Sequence, residues 1–169
     1  MNRVVLSAAL AATALGLSAC GFTPLYATPG VSSQLTAVQV TTPPGRTGQL
    51  IREHLDDALA RDKGTEPRYR MELVLSETRY PRGVRVDNVA TRYEYVLTAN
   101  YILTALPSGA PVKQGTTRVE VTYDSADQPY ASISAQQDAQ DRAAQEAARR
   151  IQLELAVWLA NSGRVATAK

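Results

Sequence analysis

The sequence predicts an α+β domain: a four-stranded, mostly antiparallel sheet with two helices packed on one face, in the order β-α-β-β-β-α. Three observations carry this. The run Thr91 to Thr104 alternates, with Tyr93, Tyr95, Leu97, Ala99, Tyr101 and Leu103 on one side and Glu94, Val96, Thr98, Asn100 and Ile102 on the other. Period two is the pattern of a strand with one buried face. Two other segments each carry one apolar stripe at a 3.6 period, so each covers a surface with a single face. The three later strands are sequence neighbours with short connections, and an antiparallel meander is their economical pairing.

The chain opens with a leader. Arg3 is the only charge before an apolar or small run, VVLSAALAATALGL, from Val4 to Leu17. That run is shorter than the roughly 20 residues needed to span a bilayer core, and it is flanked like a signal peptide. At its end, Leu17-Ser18-Ala19-Cys20 looks like the lipobox of bacterial lipoproteins, and Cys20 is the only cysteine in the chain. In that reading residues 1–19 are removed. The Cys20 thiol takes a diacylglycerol, and the new amino terminus is acylated as well. More than one buried acyl chain, at roughly 0.8 kcal/mol per CH2, gives stable anchoring. No thiol is then left for a disulfide, so the domain stands on its core alone.

Of 169 residues, 150 remain after the leader, which is one domain by length. The net charge of +2 falls to about +1 once Arg3 is gone. So even a balance argues against general nucleic-acid binding and against a polybasic surface. Residues 20–34 (CGFTPLYATPGVSSQ) are the lipidated terminus and an extended tether, although Phe22, Leu25 and Tyr26 are apolar for a free linker. Residues 35–163 form the domain and 164–169 a tail.

Within the domain, Leu35 to Val40 reads as a strand, broken by TTPPG at Thr41 to Gly45. A helix follows, with Thr47 as N-cap and Leu50, Ile51, Leu55, Ala58 and Leu59 on one face; Lys63-Gly64 ends it. Tyr69 to Ser76 alternates as the second strand, and Thr91 to Thr104 is the third. PSGAP turns the chain into the fourth, which carries Thr117, Val119, Val121 and Tyr123 on one side. The last helix starts at a capping box, Ser134-x-x-Gln137, and runs on Ala144, Ala147, Ile151, Leu155, Trp158 and Leu159 to a stop at Gly163.

Catalytic machinery is missing from the pattern. The one histidine, His54, lies beside a helix stripe and reads as an ordinary partly buried or surface residue. A nucleophilic triad needs a base placed against a Ser or Cys, and zinc needs several His or Cys ligands. No GxxxxGK[ST] or GxGxxG phosphate loop is present. Asp124 and Asp127 sit in a loop without calcium-site spacing. The sequence therefore predicts no catalytic residue, no metal site and no cofactor. Two carboxylates meeting in three dimensions are the enzymatic alternative it leaves open.

The cluster with chemical promise is basic. Arg79, Arg82 and Arg85 lie in RYPRGVR, in the loop between the second and third strands, and Arg92 opens the third strand. Guanidinium is a fixed planar charge suited to phosphate. The alternative is a solvated hairpin end. Lys113, in the turn before the fourth strand, belongs to the opposite end of the meander.

The lipobox with Cys20-Gly21-Phe22, the strand order and the strand TRYEYVLTANYIL together resemble the LptE family of lipopolysaccharide-assembly lipoproteins. "CGFTPLYA" is similar to the opening of its alphaproteobacterial members. The resemblance implies a protein that is not an enzyme. It would plug the lumen of the outer-membrane β-barrel LptD, help that barrel assemble and assist delivery of lipopolysaccharide to the outer leaflet. It implies a lipopolysaccharide contact in the loop leading into the third strand, a place that Arg82 or Arg85 matches approximately; with Arg79 and Arg92 of the same basic cluster, these are the candidate lipopolysaccharide contacts. It further implies membrane attachment through Cys20, no nucleic-acid partner, and a domain facing the periplasm and the barrel lumen. Gly21, where lipoproteins retained at the inner membrane often carry Asp, points the same way by analogy. A small α/β lipoprotein auxiliary to a lipid-transporting ABC system is the alternative.

Overall fold

The computed structural model describes residues 30–84, 90–125 and 129–167. The leader, Cys20, Phe22, Leu25, Tyr26, Arg85 and Asp127 lie outside the described residues. The elements are α1 (Val31–Leu35), β1 (Val38–Thr41), α2 (Arg46–Ala58), β2 (Tyr69–Val84), β3 (Ala90–Ala105), β4 (Pro111–Asp124) and α3 (Pro129–Thr167). The predicted β-α-β-β-β-α order holds, with one extra short helix ahead of it.

The sheet runs β1-β2-β3-β4. β1 lies parallel to β2 across the α2 crossover, and the other two pairs are antiparallel. The alternation of β3 puts Tyr95, Leu97, Ala99, Tyr101 and Leu103 into the core, beside Met71 and Leu73 of β2 and Val119 of β4. Ile51, Leu55 and Leu59 close that face from the α2 side, and Ile151, Leu155 and Leu159 from α3. Ala139, Ala143, Ala144, Ala147 and Ala148 are also buried, and side chains this small let α3 lie close to its neighbours. Trp158 is half-buried, edge-on to Tyr69 at 5.9 Å between ring centroids. Among the described residues, the other face of the sheet carries no helix.

Several boundaries differ from the pattern-based expectation. Leu35 does not open a strand. It closes α1, where it and Val31 are buried, so residues 31–34 are not extended tether. Thr47 is not the N-cap of α2. Gly45 is, and Thr47 lies buried in the first turn. The TTPPG segment folds back onto that turn, so a Cβ on Gly48 would collide with the Pro43 carbonyl oxygen. α2 stops at Ala58, short of Lys63-Gly64, and Ala60 turns the chain at φ 49°. The Asp62 carboxylate then organises the next turn, accepting from Gly64 N at 2.8 Å and Thr65 Oγ1 at 2.7 Å. α3 begins at Pro129 instead of Ser134, with proline at the first helical position, where its missing N–H has no helical partner to lose. It continues past Gly163 to Thr167, since one glycine costs a helix only about 1 kcal/mol.

The largest correction concerns RYPRGVR. Arg79 and Arg82 are not in a loop but within β2, which pairs with β3 out to Val84↔Ala90. A proline inside a strand argues for an edge. That is where Pro81 sits, because β1 covers β2 only as far as Glu72. Asp124 likewise is strand, the last residue of β4.

Candidate functional site

The extended β2–β3 hairpin sorts the arginines by parity. Arg82 and Arg92 are direct cross-strand partners, and Arg92 is also opposite Asp124 on β4. All three project from the face that carries no helix. Arg79 is three residues from Arg82 in the chain and so projects from the helix-covered face. Arg85 lies outside the described residues. The four predicted residues are therefore not shown as one cluster: two share a face, one is across the sheet, and one is undescribed.

On the open face, two like charges directly opposite each other would be destabilising. Each is matched by a carboxylate. Arg82 donates to Glu94 Oε2 from Nε and Nη2, both at 2.8 Å, and Arg92 Nε donates to Asp124 Oδ1 at 2.8 Å. The result is a strip across three strands, Glu94–Arg82–Arg92–Asp124, whose formal charges cancel. An anion approaching Arg82 or Arg92 must compete with a carboxylate already in place. Glu94, whose side chain is only 17% exposed, is the better shielded of the two acids.

Arg79 is held differently. It donates to Gln136 Oε1 on α3 at 2.9 Å, and its guanidinium carbon lies 4.7 Å from the Tyr93 ring centroid. Tyr93 in turn stacks on Tyr123 at 5.7 Å. Its hydrogen-bond partner is neutral, and no ion pair joins it to another described residue. Beside it a cleft of about 180 Å³ is lined by Glu77, Thr78, Arg79, Tyr95, Gln136 and Gln140. Tyr95 donates to Glu77 Oε2 at 2.7 Å, and burial with that bond pushes the phenol above its ordinary pKa. Glu77 and Gln140 also line a second cleft of about 280 Å³ that reaches the start of α2 at Gly45 to Gly48. The Arg79 guanidinium and the Gln136 amide suit an oxyanion here, while Glu77 opposes one and already takes the Tyr95 hydroxyl and the Gln140 amide nitrogen as donors.

Sequence reasoning missed Glu94, Asp124, Tyr93 and Gln136 as partners of the arginines. Strand parity alone puts Glu94 on the face of Arg92. The other pairings rest on contacts 14 to 57 residues apart in the chain, made only once strands and helix come together. Lys113 lies opposite Leu103 near the start of β4, while Arg92 meets Asp124 at its end, so it is remote from the arginines as expected. His54 on α2 bonds Asp141 of α3 at 2.9 Å and ties the two helices together. Among the described residues, no three or more His, Cys, Asp or Glu side chains group as a metal site. No helix among them is long and apolar enough to cross a membrane.

Comparison with known proteins places this geometry. The family model LptE, described as lipopolysaccharide-assembly, matches residues 35–155. A protein assigned as a lipoprotein of Caulobacter crescentus CB15 has a crystal structure that superposes with a TM-score of 0.69. It is 53% identical, over 79% of this chain and 97% of its own. The rare lipoprotein B of Shewanella oneidensis superposes at 0.57 with 14% identity, over 75% and 97% of the two chains, a likeness of fold. Among curated proteins, none matches.

Proposed function

This chain belongs to the LptE family of lipopolysaccharide-assembly proteins, and from that membership we propose that it is a lipoprotein of the outer membrane. In this reading residues 1–19 are cleaved, and Cys20 carries the diacylglycerol and an acylated amine. The domain then sits in the lumen of the β-barrel LptD as a plug. There it assists assembly of the barrel and passage of lipopolysaccharide to the outer leaflet, and it does no covalent chemistry.

The observation that carries the reading is the family match, which extends from before β1 into α3 and so covers the sheet and the helices that back it. The open face of that sheet supports it. Ser76, Thr78, Thr98, Asn100, Thr116 and Thr122 project there at alternate positions of the three long strands. Val74, Tyr80 and Ile102 are exposed among them, so the face is mixed with a polar majority, and such a face on a rigid core suits the polar interior of a large barrel. Arg79, Arg82, Arg85 and Arg92 are proposed to meet lipid A phosphates. Of the three described, Arg79 is the one that no described carboxylate pairs with.

The test is capture of the full-length protein from outer membranes in mild detergent, with mass spectrometry of the captured partners and of the bait's own terminus. A large outer-membrane barrel and an acylated Cys20 are expected. Recovery of inner-membrane ABC components in its place would favour the auxiliary-lipoprotein alternative. An unmodified thiol would remove the anchor.

A further inference from the structure

β4 is the last strand of the sheet, and among the described residues no strand pairs with its outer side. Native edges are commonly blunted by short length, an internal proline or a bulge. β4 runs from Pro111 to Asp124, and neither a proline nor a register shift interrupts Gln114 to Asp124. The backbone shows which of its groups are free. Ser125, just past β4, continues the ladder by donating its N–H to the Thr91 carbonyl of β3 at 2.8 Å, so odd positions bond inward. The Arg118 carbonyl points the other way and accepts from Arg150 Nη1 of α3 at 2.9 Å. In an antiparallel ladder the N–H and C=O of one residue point to the same side. Gln114, Thr116, Arg118, Glu120, Thr122 and Asp124 therefore present theirs outward, with their side chains on the open face.

This row is complementary to itself about Val119. Laid antiparallel to a second copy with Val119 opposite Val119, β4 brings Arg118 opposite Glu120, Thr116 opposite Thr122 and Gln114 opposite Asp124, each pair occurring twice. Opposite charges and Thr–Thr are favourable cross-strand pairs, and like charges directly opposite are destabilising. An axis at Arg118 or at Glu120 would set that charge against itself. In the single chain the two already pair along the strand: Nη2 and Nε of Arg118 donate to Glu120 Oε1 at 2.7 and 2.9 Å, with both side chains about half exposed. Across the axis the same groups exchange partners.

We propose that β4 is a self-association edge, at which two copies of this chain join antiparallel about Val119 into one continuous sheet. The Glu120 N–H of the second copy takes the Arg118 carbonyl in place of Arg150. Residues opposite each other in paired strands point to one face, so the helices of both copies lie on one side and both open faces on the other. The interface is isologous and closes: each copy uses the same edge, and pairing covers both β4 edges at once. One strand edge buries less than the roughly 1,200 Å² of a stable specific interface, so the pair is transient in dilute solution and is best read by covalent capture. The inference rests on neither the lipid anchor nor the barrel.

The experiment co-expresses two tagged copies of the full chain, one with Thr116→Cys and one with Thr122→Cys, and treats the cell fraction that holds them with a mild thiol oxidant. Opposite residues that exchange backbone bonds lie about 5.5 Å apart between Cα atoms, inside the roughly 4.4–6.8 Å range of a disulfide. Two copies of position 116, or two of position 122, would be about six residues out of line, or about 20 Å apart. Mass spectrometry of the linked peptides identifies each disulfide and sets aside any that involves Cys20. The 116–122 peptide should exceed the 116–116 and 122–122 peptides by at least about tenfold. Arg118→Glu in both copies, or Glu120→Arg in both, should cut its yield several-fold. Arg118→Glu combined with Glu120→Arg in each chain should restore it, which also shows that the reversed side chains are compatible with the fold. Absence of the 116–122 peptide, equal yields of all three, indifference to charge reversal, or a double reversal that fails to restore the yield would each overturn the proposal.

Discussion

Tyr101 lies across Gly115 to donate its hydroxyl to Glu154 of α3 at 2.7 Å. The two tyrosine atoms nearest to an added Cβ on Gly115 would be 2.5 and 2.6 Å away, so the glycine on β4 is what lets the ring of β3 pass. The bond joins sheet to helix beneath a fully buried ring. Burial, reinforced by the bond to Glu154, raises the phenol's pKa and keeps it a donor at any physiological pH. Tyr101→Phe should cost about 0.5–1.5 kcal/mol, the net value of one such bond. Gly115→Ala should cost more, about 1–3 kcal/mol, because the ring must leave its place. Denaturant unfolding of the two variants measures both. A neutral Gly115→Ala would mean that the ring has another place to go.

Leu155 is 1% exposed and packs into the cluster formed by the sheet and the helices. Leu155→Ala should destabilise by about 2–5 kcal/mol, from lost transfer energy and the cavity left behind. Leu153, two residues away on the outer side of α3 and 38% exposed, is the matched control: Leu153→Ala should change stability by less than about 0.5 kcal/mol. Equal costs at both positions would be incompatible with the packing of α3 described above.

Acid should weaken the outer face of α3. Hydrogen bonds from Arg149 and Arg150 hold the Glu146 carboxyl below its ordinary value of 4.5. Because the folded pKa is the lower one, the contribution is complete above the unfolded value. It is lost as pH falls through the folded one. Glu146→Gln should therefore lower the melting temperature slightly at pH 7, as a partly exposed ion pair does. The difference from wild type should vanish below the carboxylate range. Thermal melts from pH 7 to pH 2.5 test this, and a difference that grew with acid would have the wrong sign.

Lipopolysaccharide binding should depend on Arg79 more than on Arg82. Arg79→Gln removes a guanidinium with a neutral partner, whereas Arg82→Gln first frees Glu94. Lys113→Gln, at the far end of β4, should have little effect. Binding of the purified protein, compared at low salt and at 0.1 M, where charges are screened over about 10 Å, separates a built site from a diffuse field. Equal loss in all three variants would reduce the arginines to a nonspecific charge effect.

The sequence by itself determined what is local. The alternation in β3 named its buried face from Tyr95 to Leu103, and the stripes at Ile51, Leu55, Ile151 and Leu155 named the faces of two helices. A side chain's direction within one element follows from the backbone period alone. Tertiary structure decided the rest. Pro81 and Gly83 look like a turn, yet they lie in β2, because a proline is tolerated where no further strand pairs on the outer side. Thr47 is a good N-cap by type, yet TTPPG folds back on the first turn and the cap falls to Gly45. Arg79, Arg82 and Arg92 read as one basic patch. Pairing of β2, β3 and β4 put Arg79 behind the sheet and gave the other two Glu94 and Asp124. Register is a property of strands brought together from distant parts of the chain, and it alone sets which charge meets which.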